Sequence, residues 1–214
     1  RRLVAYLGEA KAEPPRKVYY AGGKEGSDLL SALRVTWQPL AGEAPAAAST
    51  LVLGPGAPDL KIDAVQAAGA NVLALGLPEG DLKRLFPATK ASTGSDVSRL
   101  HPDISPAAFN GLSQAELHWR TKPKFAMLEG GTSPSLRAET RGASTLVYCQ
   151  VAPWHFDYVK KPYLKPSYRR NTFLVSRLLA NLGAPAASPF LARASTPSQA
   201  PVLDLSQGWV GQED

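Results

Sequence analysis

The sequence predicts an α/β fold with a mostly parallel sheet covered by helices on both faces. Three observations carry that expectation. Thr50-Leu51-Val52-Leu53 and Asn71-Val72-Leu73-Ala74-Leu75 are short, nearly unbroken apolar runs, the pattern of strands that meet protein on both sides. Helical stretches alternate with these runs, as crossover connections between parallel strands require. A late turn-bearing segment, Leu136–Val151, adds a hairpin, and a long amphipathic helix follows it.

In chain order, residues 1–16 read as a helical fragment and incoming linker, closed by Glu13-Pro14-Pro15. Lys17-Val18-Tyr19-Tyr20-Ala21 is rich in β-formers and stops at Gly22-Gly23, which makes it the first strand. Ser27 or Asp28 is placed to cap a short helix running to Leu33, with Leu29, Leu30 and Leu33 on one face. Val35-Thr36-Trp37 reads as the second strand. After an Ala/Pro connection, the run to Leu53 ends at Gly54-Pro55-Gly56. Ile62, Val65, Gln66 and Ala68 mark a helix ending at Gly69. Gly76-Leu77-Pro78 then turns the Asn71–Leu75 strand into a short helix around Asp81–Phe86.

The second half is less regular. His101–Asn110 reads as a loop, and Ser113-Gln114-Ala115-Glu116 has the form of a capping box opening one helical turn. Phe125–Leu128 reads as a strand. Ser135–Thr140 and Ser144–Val151 flank Arg141-Gly142-Ala143, a hairpin with glycine in its turn. Tyr168–Leu182 is the strongest helix; Phe173, Leu174, Arg177, Leu178 and Leu182 share a face, and Gly183 with Pro185 stops it. Residues 185–201 shift to Ala, Pro and Ser and read as a linker, leaving 202–214 as the opening of a further domain. The predicted core comprises Val18, Leu51, Val52, Leu53, Val72, Leu73, Leu75, Leu146, Val147 and Cys149.

Composition bounds the function. Hydrophobic residues make up 44% of the 214, enough for a real core, and 20% are charged. The formal charge of +6 is scattered; its densest stretches, Lys160-Lys161, Lys165 and Arg169-Arg170, are interrupted by proline and aromatic residues. Such spacing suits a solvated face better than a groove that tracks phosphates, so no nucleic acid partner is expected. No run reaches the length of a membrane span, and no membrane partner is expected. One cysteine, Cys149, excludes an internal disulfide and leaves the cellular compartment open. Lacking an initiator Met, the chain reads as a segment of a longer protein that carries any targeting signal elsewhere.

Ligands of such sheets bind at the carboxyl ends of strands, so the turns there are the first candidates. Leu53-Gly54-Pro55-Gly56 either offers backbone amides to an anion or simply ends a strand; Pro55 removes one donor. The spacing is no dinucleotide fingerprint. Leu75-Gly76-Leu77-Pro78-Glu79-Gly80 has the shape of the strand-to-helix elbow that presents a nucleophile, but its apex is Leu77 and Pro78 deletes an amide. Cys149 falls inside a buried strand, where a thiol acts as a small apolar residue. His155, with Asp157 two residues on, can be read as a base at a strand end or as a polar residue in an aromatic loop. His101 and His118 lack metal-ligand spacing, and nothing sets Glu116 and Glu129 at a glycosidase separation. The expected inventory is therefore no catalytic residue, no cofactor and no metal.

The strands and elbows Val18–Ala21, Leu51–Gly56 and Val72–Pro78 form an ordered series with His101-Pro102 and the segment Phe109–Arg120. The series continues through the Leu136–Val151 hairpin and the helix bearing Arg169-Arg170-Asn171 and Arg177–Gly183. It resembles the glutamine-amidotransferase-like domain built into large multidomain glycoside hydrolases, close to the β-galactosidase trimerisation domain, over about residues 17–184. The resemblance implies a flavodoxin-like three-layer sandwich of the class I amidotransferase type. Active amidotransferases of that kind carry a cysteine at the elbow and a histidine after a later strand; Leu77 stands at the matching elbow position. Val202-Leu203-Asp204-Leu205-Ser206-Gln207-Gly208-Trp209 resembles the opening strand of the β-sandwich in glycoside hydrolase family 2.

Two functions from different classes follow. The first is a non-catalytic structural or interaction module of a multidomain carbohydrate-active enzyme, with a secreted or periplasmic parent. Its partners would be neighbouring domains of the parent chain, a second copy in a homo-oligomer, or carbohydrate. Trp119, Trp154, Phe156, Tyr158, Tyr163 and Tyr168 would act as interface anchors, stack on sugar rings, or serve ordinary packing. The second is an independent enzyme of the amidotransferase or hydrolase type using His155 and Asp157.

Overall fold

The computed structural model describes residues 15–40, 45, 47–95, 107–119, 121–130 and 133–184. The chain runs through β1 (Lys17–Ala21), α1 (Lys24–Ala32), β2 (Trp37–Pro39), β3 (Ser49–Leu53), α2 (Ile62–Ala67) and β4 (Asn71–Leu75). It continues through α3 (Glu79–Leu85), β5 (Ala91–Ser95), β6 (Lys124–Leu128), β7 (Leu136–Arg141), β8 (Ser144–Cys149) and α4 (Lys165–Asn181). The main sheet has six strands in the order β2-β1-β3-β4-β8-β7. All neighbours are parallel except β7, which closes one edge antiparallel to β8. The fold is mixed α/β around a mostly parallel sheet, compatible with three layers.

Side-chain alternation along the strands divides the core in two. Val18, Val52, Leu73, Leu75, Val147 and Cys149 join α1 and α4 on one face; Leu51, Leu53, Val72, Leu146 and Tyr148 join α2, α3, β5 and β6 on the other. All ten expected core residues are buried. Each large aliphatic side chain among them contributes roughly 1.5–3 kcal/mol, and the polar residues of β3, β4 and β8 stand at the amino ends of those strands. The polar ones present are tied down: Thr50 Oγ1 and Asn71 Nδ2 both donate to the Leu182 carbonyl, at 2.6 and 3.1 Å, fixing the end of α4 across β3 and β4.

Several boundaries differ from the sequence expectation. The first helix starts at Lys24 rather than at Ser27 or Asp28. Gly23 forms its extended N-cap, and Ser27 Oγ donates to the Lys24 carbonyl within the first turn. The second strand is Trp37–Pro39, not Val35–Trp37, because Arg34 adopts φ 55° and closes α1. In that closure Arg34 N–H donates to Ser31 O and Val35 N–H to Leu30 O, which takes Val35 out of the strand. Pro39 is tolerated because β2 is an edge strand. Helix α3 begins two residues early, at Glu79, and α4 three residues early, with Pro166 in its first turn.

Strand β5 was not anticipated, and it pairs antiparallel with β6 as a separate ribbon. The hairpin stands as expected: Arg141 faces Ser144, and Gly142 takes φ 58° in the two-residue turn. Gly183, at φ 86°, stops α4 as expected. The incoming linker before residue 15, His101-Pro102, the linker 185–201 and the tail 202–214 lie outside the described residues.

Candidate functional site

The carboxyl ends of β3, β4 and β8 meet the β5–β6 ribbon around a cleft of about 270 Å³. Its elbow side is Gly76-Leu77-Pro78, its ribbon side Thr93 and Lys124–Ala126, and its far side Gln150, Trp154 and His155.

The glycine turn after β3 offers no anion a donor. Gly54 N–H donates to Ala21 O at 2.9 Å, Gly56 N–H to the Asp81 carboxylate at 2.8 Å, and Pro55 has no N–H. Pro55 O accepts from Gly23 N–H. Of the two readings of this turn, it is the strand-ending one.

At the elbow, the residue in the left-handed region is Gly76, with φ 58°, and its N–H donates to Cys149 O at 2.8 Å. Leu77 is only 1% exposed and packs in the core on the α2–α3 face. Neither residue supplies a nucleophilic atom. Cys149 belongs to the core on the opposite face, its Sγ donates to Val151 O at 3.3 Å, and burial pushes its thiol up to about 12. A thiol in that state is no nucleophile near neutral pH.

His155 lines the cleft, as a strand-end base would, in a single 3-10 turn, Pro153–His155. Its N–H donates to Ala152 O, and Ala152 N–H donates back to its Nδ1, both at 3.0 Å. Nδ1 is thus the acceptor and the proton sits on Nε2. Burial holds the imidazole down at about 4, so it is neutral near pH 7. Asp157 does not orient it: its carboxylate accepts from Lys160 N–H at 3.1 Å and pairs with Lys160 Nζ at 3.4 Å. That bond to the Lys160 N–H is the main cause of its lowered pKa.

Two features of the cleft were not singled out from sequence. Glu79 holds the ribbon to the elbow. Its Oε2 accepts from both the N–H and the hydroxyl of Thr93 at 2.8 Å, while Oε1 accepts from Lys83 at 2.6 Å. The Lys83 bond, then those from Thr93, lower this carboxyl to about 2. Gln150 is fully buried, and neither its Nε2 nor its Oε1 has a hydrogen-bond partner. Only its backbone is tied, N–H to Ser135 O at 2.7 Å. A polar residue closing an apolar strand was a visible signal, but its burial is a tertiary fact.

The remaining candidates are dispersed. Glu116 accepts from the Ser113 N–H, one half of the capping box expected there, and also from the Ser113 hydroxyl; Glu129 is exposed beyond β6. His118 is exposed, and its carbonyl accepts from Arg170. Among the described residues no group of histidine, cysteine and carboxylates is arranged to hold a metal ion. Nor is any helix among them long and apolar enough to cross a membrane. Of the six aromatic residues expected as anchors, Trp119 and Phe156 are core, 1% exposed each, with ring centroids 6.0 Å apart. Tyr158 and Tyr168 pack on one another at 4.6 Å, Tyr163 is exposed, and Trp154 is half-buried in the cleft wall.

Where the strand order reverses, between β1 and β3, the Tyr20 side chain packs against glycines. Its hydroxyl donates to Gly23 O at 2.7 Å, and a Cβ at Gly22, Gly26 or Gly54 would collide with the phenol. Burial, with Glu25 nearby, raises this phenol to about 12.

No protein-family model matches this chain, and no curated protein matches it either.

Proposed function

We propose that residues 17–184 form a flavodoxin-like, amidotransferase-like module that performs no bond chemistry of its own. It would serve as a packing and interaction body within a multidomain carbohydrate-active enzyme. The strand order supports the first part: β2-β1-β3-β4-β8 is the doubly wound order 2-1-3-4-5 with β8 as the fifth strand. One observation carries the second part. The elbow that would present a nucleophile holds a left-handed Gly76 and a core-buried Leu77, while the lone thiol sits on the other face of the sheet. A nucleophile must lie within reach of its base and of donors aimed at the developing oxyanion, and the glycine turn contributes no free amide.

The test is turnover by the 214-residue chain. The expected outcome is no hydrolysis of glutamine or of an aryl glycoside above a heat-killed control. A rate that His155→Ala removes without unfolding the domain would overturn this reading in favour of an independent enzyme. Sequencing the parent reading frame tests the other half; a catalytic glycosidase domain encoded beside this segment is expected.

A further inference from the structure

We propose that the cleft at the carboxyl ends of β4 and β8 binds a neutral, hydroxyl-bearing ring the size of a monosaccharide, held by the Gln150 amide and His155 Nε2–H. The inference deepens the module reading and rests on it only in treating the cleft as a binding site without turnover.

Gln150 is the starting point. A buried side-chain amide with neither its donor nor its acceptor paired leaves its desolvation cost unrecovered, so natural proteins keep such groups where something completes them. An amide presents a donor and an acceptor side by side. A carboxylate only accepts and an ammonium only donates, so each would leave one half of Gln150 unmatched. A pair of neighbouring hydroxyls does both.

The rest of the wall agrees. His155 has its Nδ1 engaged by Ala152 and so offers one further donor, Nε2–H, from a neutral ring. Glu79 is already matched by Lys83 and Thr93, so it exerts little demand for a cation. The half-buried Trp154, with Phe125 beside it in the lining, supplies apolar surface, which suits the C–H face of a saccharide ring. The volume of about 270 Å³ lies just below the usual range for ligand sites, about 300–1,000 Å³. One ring fits that space better than a chain. Among the described lining residues the other charge, Lys124, is exposed on the ribbon side.

The experiment is a titration of the ¹⁵N-labelled 214-residue chain with D-glucose, D-galactose and D-mannose, with L-glutamine and sodium acetate as separate arms. Expected are saturable shifts of the Gln150 side-chain amide and the His155 Nε2–H resonance for at least one sugar, in the millimolar range. Gln150→Leu, which removes the unpaired groups and keeps the bulk, should stay folded and weaken that binding by about tenfold or more.

Absence of saturable shifts with all three sugars overturns the inference, and leaves the module reading standing. Shifts with glutamine or acetate alone overturn the assignment of a neutral hydroxylated ligand. Sugar binding unchanged in Gln150→Leu overturns the role of that residue. Release of ammonia and glutamate in the glutamine arm would refute the module reading instead, without touching the binding site.

Discussion

Gly76 lies directly beneath the indole of Trp154: a Cβ at position 76 would stand 2.7 Å from Cζ2 of that ring and 2.9 Å from the Ala152 Cβ. Since Gly76 also takes φ 58°, the position excludes a side chain twice, once by backbone conformation and once by contact. Gly76→Ala should destabilise the domain by about 2–4 kcal/mol, the left-handed cost and the overpacking cost acting together. Urea unfolding followed by tryptophan fluorescence checks this, and an unchanged midpoint would contradict the packing described.

The neutral His155 makes stability depend on pH in a defined direction. Its folded-state pKa of about 4 lies below the ordinary value of 6.5, so between those values the unfolded chain binds more protons than the folded one. The contribution is present in full above about pH 6.5 and is lost as pH falls towards 4. It is on the order of 2 kcal/mol once the partial exposure of the ring is allowed for. His155→Asn keeps a side-chain acceptor for the Ala152 N–H and cannot titrate. Denaturation midpoints measured from pH 7 to pH 4 should fall further for the parent than for the variant, and parallel curves would count against the assignment.

Cys149 should be inert in the folded protein. Full burial and a thiol pushed up to about 12 leave almost no thiolate at neutral pH. Reaction with a thiol-specific chromogenic reagent should be slow in buffer and rise at least a hundredfold, roughly the gap between opened and closed populations, when denaturant is added. Rapid labelling of the native chain would show that β8 opens locally.

Position 26 sets two effects against each other. Alanine would gain about 1 kcal/mol of helix propensity over glycine in α1. A Cβ there would collide with the Tyr20 ring, which is boxed in by Gly22 and Gly54, and such overpacking costs about 1–3 kcal/mol. Gly26→Ala is therefore expected to destabilise by about 1 kcal/mol net in the parent background and to stabilise once Tyr20 is replaced by Leu. The four-member cycle of unfolding free energies decides it; additivity would mean that the phenol does not pack against position 26.

The sequence revealed those parts of the fold whose residues have no alternative environment. β1 and β4 were placed to the residue because their apolar runs exist only to be covered on both faces. β5 was missed because Ala-Ser-Thr-Gly-Ser carries no strand pattern; its pairing with β6 and its bonds to Glu79 give it a place. β2 was misplaced by two residues because a left-handed arginine gives no signal before the fold is known. At the site, His155 was visible from sequence, yet its natural companion Asp157 is engaged by Lys160. Gln150 looked like an ordinary strand end, since nothing in the sequence says that a side chain is buried without partners.

The first and last described segments meet: Arg16 N–H donates to Gly183 O at 2.8 Å, and the Arg16 side chain packs over Gly183 and reaches Gly69 O at 3.3 Å. A folded body whose two ends are stitched together in this way is suited to insertion and to circular permutation. It can be spliced into a host, or cut out and bridged by a few residues, without forcing the flanking chain to travel. The same geometry makes joining residue 184 to residue 16 and opening the chain at the Gly142 turn a permutation that leaves every strand of the parallel sheet beside its present neighbours.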